Sequence, residues 1–277
     1  MRLRYGSHFH QFADLLVPDG DGPFPVAVLI HGGFWRERLT LDLDDDLARD
    51  LVPRGWAAWN IEYRRVGEVS GGGWPITGED VAAAIDHLGR LDARLDLGRV
   101  VAIGHSAGGQ LALWAASARV DPAVRLAGVV SQAGVHDLVE ADRLDLGEGA
   151  TAEFMGGHAD DVPDRYADAS PIDRLPSGVP VLLVHGDADE RVPVEMSRTY
   201  ATEARAADDD VELVVRAGDD HFVHLDVESG AWGDVVGWLG AVRGLSDPGP
   251  GGAPLRPPGR ARARGQRTEG MRNGPGG

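Results

Sequence analysis

The chain has 277 residues, 43% of them hydrophobic, enough for one large core, and its lack of cysteine excludes disulfides, thiolate nucleophiles and cysteine metal sites. Its net charge is −17, from 44 acidic residues against 27 basic ones, all of the latter arginine. A surface this acidic repels nucleic-acid phosphate and anionic lipid, so neither is an expected partner.

Residues 1–8, Met-Arg-Leu-Arg-Tyr-Gly-Ser-His, have no apolar core of the signal-peptide kind, and no apolar run approaches the ~20 residues of a membrane span. A cytoplasmic location with no membrane partner is expected. Residues 8–17 read as an antiparallel edge strand, and Pro18, Gly20 and Gly22 mark the turn that follows. Apolar, β-rich runs then recur at residues 26–30, 57–61, 100–103, 127–131 and 181–184, with a sixth at 211–215. Helical patterns fall between them, at residues 43–52, 77–91, 107–118, 193–206 and 228–242. The second opens on Thr77, Gly78, Glu79 and Asp80, acidic residues that suit a helix N-terminus.

This alternation predicts an α/β domain over residues 1–245, with a mostly parallel, doubly wound sheet and helices on both faces. Residues 136–174 break the pattern. They are rich in Asp, Gly and Ala, hold short helical fragments such as 150–155, and are expected to form a small cap insertion. From residue 246 to 277 the composition turns to Gly, Pro and Arg, with six arginines against Asp247 and Glu269, and this basic tail is expected to be disordered.

Chemistry enters at Gly104-His105-Ser106-Ala107-Gly108, where one serine stands between two glycines, directly after a strand pattern and before a helical one. A strand that turns at once into a helix holds its turn residue in strained angles, and small neighbours let the two elements pack closely. The Ser106 hydroxyl is thereby exposed at a helix N-terminus, beside the free N–H of Ala107. Serine needs a base and a group that orients the base. The strand pattern at 181–184 runs into His185-Gly186-Asp187-Ala188-Asp189, which delivers acids to the carboxyl end of the sheet. Asp189 is the chosen orienting acid, and Asp187 is the competitor that better serves the turn. After residues 211–215 comes Gly218-Asp219-Asp220-His221-Phe222-Val223-His224, where His221 stands in the loop as candidate base and His224 lies nearer the last helix. The order Ser106, Asp189, His221 follows the chain order of α/β-hydrolase triads. Residues 31–35, His-Gly-Gly-Phe-Trp, offer the N–H groups of Gly33 and Phe34 to join that of Ala107 as an oxyanion hole, while His31 braces the loop. The ten histidines form no HxxxH pair, so neither a metal site nor a cofactor is implied.

On these residues the chain resembles the α/β-hydrolase superfamily, and within it the esterase, lipase and kynurenine formamidase (arylformamidase) group, over most of residues 8–245. The string at 31–35 matches HGGxW and departs from the HGGG of lipases of the hormone-sensitive type, which tilts the resemblance towards the formamidase branch. GHSAGG is similar to both branches. HGDADERVP and GDDHF resemble acid and base segments across the superfamily, prolyl oligopeptidases included, which favours Asp189 and His221 over their neighbours. The resemblance implies hydrolysis of a small-molecule carboxylic ester or amide through an acyl-enzyme, with Trp35 and Trp74 lining an acyl or aryl pocket. A prolyl-oligopeptidase-type peptidase and a non-catalytic binding protein on the same scaffold are the alternatives.

Overall fold

The segment Phe24–Ile30 buries six residues in succession, Pro25 to Ile30, a pattern that requires a strand covered on both faces. In the computed structural model, which describes residues 1–91, 94–119 and 122–244, it is the third strand of an eight-stranded sheet. The strands are β1 (Arg2–Arg4), β2 (Phe12–Leu16), β3 (Phe24–Ile30), β4 (Ala57–Ile61), β5 (Leu95–His105), β6 (Gly128–Gln132), β7 (Val181–Gly186) and β8 (Val211–Arg216). Their order is β1-β2-β4-β3-β5-β6-β7-β8, with β3 to β8 parallel and β1 and β2 antiparallel to their neighbours. The expected tail at 246–277 lies outside the described residues.

Period-two alternation sends successive strand residues to opposite faces. Val26, Val28 and Ile30 join a core with Val81 and Ile85 of α2 (Ile76–His87), Leu111 of α3 (Ala107–Ala118) and Tyr200 of α7 (Glu195–Ala206). Ala27 and Leu29 join a second core with Leu47 and Leu51 of α1 (Asp45–Leu51) and Trp232 and Val235 of α8 (Gly230–Gly244). Each large aliphatic side chain buried this way contributes about 1.5–3 kcal/mol. The sheet is therefore doubly wound and mostly parallel, as the strand and helix alternation predicts. Among the described residues no helix is long and apolar enough to cross a membrane.

Several local expectations are corrected. The strand expected at 8–17 is β2, but it is not the edge, because β1 pairs outside it. Arg-Leu-Arg is too short to show alternation, and a forked pair from Arg2 to Asp14, at 2.9 and 2.7 Å, aligns it. The helix expected at 43–52 begins as a 3-10 turn, Leu41–Asp44, before α1. The helix expected at 77–91 ends at His87 and passes into a 3-10 turn, Leu88–Arg90. Asp80 does not serve the start of α2 as a solvated acid. It is buried and accepts the guanidinium of Arg64 at 2.6 and 2.8 Å and the amide of Gln11 at 2.7 Å.

The insertion between β6 and β7 holds three short helices, α4 (Leu138–Arg143), α5 (Ala150–Met155) and α6 (Pro163–Ala169), and a 3-10 turn, Pro171–Arg174. Gln110 and Trp114 of α3 donate side-chain hydrogen bonds to the carbonyls of Ala169 and Asp168, at 2.8 and 3.1 Å. Arg36, in the loop after β3, reaches the carbonyls of Gly147 and Glu148 and the carboxylate of Glu153. The insertion is thus tied to α3, which follows Ser106, and to the loop after β3.

Candidate active site

β5 ends at His105 and α3 begins at Ala107, so Ser106 alone makes the turn, with φ 56° and ψ −118°. This is a disfavoured conformation for a residue with a side chain, held by a dense frame. The Ser106 N–H donates to the Gln132 carbonyl at 2.8 Å, and the Ser106 carbonyl accepts from Gly109 at 2.9 Å. Gly104 and Gly108 permit the close approach: a Cβ on Gly108 would stand 1.8 Å from the Ile30 carbonyl oxygen, and one on Gly104 2.0 Å from that of Gly108. The two glycines of the motif therefore seat α3 directly against β3 and β5.

Asp189, in the loop after β7, and His221, in the loop after β8, meet through a 2.7 Å hydrogen bond from His221 Nδ1–H to Asp189 Oδ2. The same oxygen lies 3.2 Å from His185 Nε2, and Asp189 Oδ1 accepts the backbone N–H groups of Arg191 and Val192 at 2.8 and 2.9 Å. Burial pushes the Asp189 carboxyl towards the neutral form. The donors from His185 and His221 and the Val192 N–H outweigh burial and hold it well below the usual carboxylate range. Asp187 does the turn work instead: its Oδ1 accepts the Gly218 N–H at 2.7 Å, which pins the loop carrying His221 to the end of β7.

Two further histidines surround His221. His105 Nε2–H donates to the His221 carbonyl at 2.8 Å, and the two ring centroids are 4.8 Å apart. Burial, then the neighbouring His221 and His224, depress the His105 pKa well below its ordinary value, so its ring is neutral and acts as a fixed donor. His224 is wholly buried, and burial lowers its pKa to about 3. His105 and His185 escape sequence reasoning because their partners lie 116 and 4 residues away, in contacts no spacing rule encodes. The only sequence signal is their position, His105 abutting Ser106 and His185 opening the HGDAD string.

A cavity of about 470 Å³ is bordered by Ser106, His105, His221, Gly33 and Phe34, with Gly147 and Glu148 of the insertion on another side. The loop after β3 carries Gly33, Phe34 and Trp35 at positive φ, 117°, 51° and 56°. Among the described residues the N–H groups of Gly33, Phe34 and Ala107 have no protein acceptor. His31 braces this loop: its ring stacks on Tyr63, whose hydroxyl donates to the His31 carbonyl at 2.6 Å, and its Nε2 lies 3.2 Å from the buried Glu62 carboxylate. Burial opposes ionisation of Glu62, yet the hydrogen bond with His31 and the nearby Arg65 keep its carboxyl below the ordinary range. Among the described residues Ser106 Oγ makes no hydrogen bond, and Ser106 and His221 border one cavity. Among the described residues, no cluster of three or more His, Asp or Glu is arranged to hold a metal ion.

Trp35 and Trp74 do not line this cavity. Trp35 has no exposed surface, stacks on Phe154 at 4.5 Å and donates Nε1–H to Gln110 Oε1 at 3.0 Å. Trp74 packs edge-on against Trp114 at 5.0 Å. The expectation that they line the pocket is not met at this cavity: both side chains are buried and packed on Phe154, and Phe34 borders the cavity.

Comparisons with known proteins bear on the same segment. Esterase LipC of Mycobacterium tuberculosis is 25% identical over 205 residues, 66% of this chain and 49% of that protein. Esterase LipQ of the same organism is 29% identical over 197 residues, 66% of this chain and 46% of that protein. The chain spans about half the length of the curated relatives it matches. Among solved structures, a thermophilic esterase of Thermogutta terrifontis superposes with a TM-score of 0.70 at 20% identity, covering 87% of this chain and 90% of that one. An acetyl ester-xyloside bifunctional hydrolase of Caldicellulosiruptor lactoaceticus does so with a TM-score of 0.71 at 21% identity, covering 85% and 89%. With the sheet order described above, these neighbours establish the α/β-hydrolase fold. The family model described as BD-FAE matches residues 13–203, which include the 31–35 loop, Ser106 and Asp189, and this chain belongs to the BD-FAE family.

Proposed function

We propose that the chain is a serine-dependent hydrolase of small carboxylic esters that works through an acyl-enzyme. One observation carries the reading: Ser106, strained at the head of α3, borders the same cavity as His221, whose Nδ1–H is fixed 2.7 Å from the buried Asp189 carboxylate. His221 Nε2 takes the Ser106 proton as Oγ attacks the substrate carbonyl, and the N–H groups of Gly33, Phe34 and Ala107 receive the oxyanion. The alcohol leaves with the proton from His221. Water, deprotonated by the same nitrogen, then cleaves the acyl-serine and returns Ser106 to its starting state. Asp189 orients the imidazole and stabilises its cation. The insertion at 136–174 acts as a small cap, since Gly147 and Glu148 border the cavity.

Ester cleavage is preferred because the two Mycobacterium tuberculosis relatives are named esterases and the two structural neighbours described carry ester hydrolase titles. The His-Gly-Gly-Phe-Trp string supports a small formamide as second reading. Steady-state hydrolysis of 4-nitrophenyl butyrate and of an N-formyl aniline by the wild type and by Ser106→Ala tests both. Ester turnover that falls at least ~10³-fold in the variant is expected, and equal turnover in the two proteins rejects the proposal. Faster cleavage of the formamide selects the second reading.

A further inference from the structure

Most described arginines have their guanidinium occupied by a carboxylate or a carbonyl. Among the residues whose side chains are described, Arg38, Arg90, Arg125 and Arg191 are the exceptions, with neither an ion pair nor a side-chain hydrogen bond, and two of the four, Arg38 and Arg191, border the cavity that holds Ser106 and His221. They come from opposite sides. Arg38 follows β3 and Arg191 follows β7, and in the sheet order β3-β5-β6-β7 the Ser106 turn at the end of β5 lies between those loops. Both residues are exposed. The backbone positions are nonetheless anchored. The Arg191 N–H donates to Asp189 Oδ1, and the 31–35 loop leading to Arg38 is braced by Tyr63 and Glu62.

The third arginine at the cavity, Arg36, is satisfied by Glu153 and by the carbonyls of Gly147 and Glu148. The rim therefore carries two uncommitted positive charges against one carboxylate, Glu148, on a chain whose net charge is −17. Guanidinium presents a planar fork that fits a carboxylate, and in a cleft its field is focused more strongly than on an open surface. Phe34, Leu39, Leu43 and Phe222 make the remaining wall apolar, so the cavity combines a hydrophobic body with a cationic rim.

We propose that the preferred substrate is an anionic ester, one with a carboxylate a few atoms from the scissile carbonyl, held by Arg38 and Arg191 while the ester carbonyl sits at Ser106. This rests on the reading of the site as an ester hydrolase. The carboxylate is not consumed; it orients the ester and raises its local concentration. It can reside on the acyl or the alcohol portion, and the two sources separate experimentally.

The test compares matched ester pairs at about 50 mM ionic strength. On the acyl side, mono-4-nitrophenyl glutarate is set against 4-nitrophenyl butyrate; on the alcohol side, 4-acetoxybenzoate against 4-acetoxybenzamide. The readout is the ratio of kcat/KM, anionic over neutral, in the wild type and in Arg38→Gln/Arg191→Gln, with near-UV circular dichroism to verify folding. In the wild type, at least one pair gives a ratio of about 10, which declines as salt is raised to about 0.5 M. In the double variant it falls to about 1, and Arg38→Lys/Arg191→Lys restores part of it. The pair that discriminates identifies the side carrying the charge. Ratios near 1 in the wild type for both pairs, or a ratio unchanged in the Gln variant, overturn the proposal and leave the ester hydrolase reading intact. Absence of turnover with every neutral and anionic ester rejects that reading, and this proposal with it.

Discussion

Asp189 and His221 are joined by a 2.7 Å hydrogen bond across 32 residues of chain, and the carboxylate oxygen that accepts it also faces His185 Nε2 at 3.2 Å. His185 is itself fixed, with Nδ1 at 2.7 Å from the Ser197 hydroxyl and Nε2 at 2.9 Å from the Val192 carbonyl. The carboxylate thus sits in a closed ring of donors that leaves His221 little freedom to rotate.

Replacing Asp189 by Asn is expected to lower kcat for a short ester by about 10³- to 10⁴-fold, because the amide no longer enforces the tautomer with Nδ1–H. The substitution also alters the acid limb of stability. The folded carboxyl lies well below its unfolded pKa of about 3.9, so its contribution is complete above that pH and is lost as pH falls through the folded value. Chemical denaturation at pH 7 and pH 3 should show a smaller acid loss in Asp189→Asn than in the wild type. Equal losses would show that the ring of donors does not stabilise the ionised form.

Asp44 predicts the opposite slope. Its carboxyl is buried, Oδ1 has no hydrogen-bond partner, and burial pushes its pKa up to about 7, although His31 opposes the shift. A folded pKa above the unfolded one gives stability that is complete below about pH 4 and is lost as pH rises through 7. Asp44→Asn removes this slope. The variant should gain on the wild type by up to roughly 4 kcal/mol between pH 4 and pH 8, measured by urea unfolding; a difference that is constant with pH contradicts the assignment.

Gly108→Ala places a methyl group against the Ile30 carbonyl oxygen and forces α3 away from β3. The expected loss is at least about 3 kcal/mol, with failure of the Ser106 turn. A thermal unfolding midpoint equal to that of the wild type would contradict the packing described.

Trp35→Phe leaves Gln110 Oε1 without its donor in a buried setting, which costs about 1–3 kcal/mol. The cavity wall is untouched, so KM for 4-nitrophenyl butyrate should stay within about 2-fold. A large rise in KM with unchanged stability would restore Trp35 to a substrate-contacting role.

The parts of this molecule that were legible in the sequence are those whose signal is local. Ser106 is flagged by its glycines because both stand within two residues of it in one short string, although only the Gly104 clash lies within that strand, turn and helix, and α3 and β4 follow the runs of residues that form them. The buried faces of β3 are equally plain in their apolar run. What sequence did not reveal depends on distant partners. β1 exists through Arg2 and Asp14, Asp80 is claimed by Arg64 and Gln11 from other elements, and the Trp35 side chain is held in the core by Phe154 and Gln110, more than 70 residues away. Asp189 and Asp187 lie between these cases: both are visible in one string and both reach the loop after β8, where Asp189 meets the His221 ring and Asp187 the backbone N–H of Gly218.

The central claim is that Ser106 is a nucleophile activated by His221. Incubation of the folded chain with a fluorophosphonate, followed by intact mass and peptide mapping, tests it most directly. One adduct per chain is expected, on Ser106, formed at a rate that falls at least ~100-fold in His221→Ala and is abolished in Ser106→Ala. An unlabelled wild type, or an adduct that forms equally fast without His221, contradicts it.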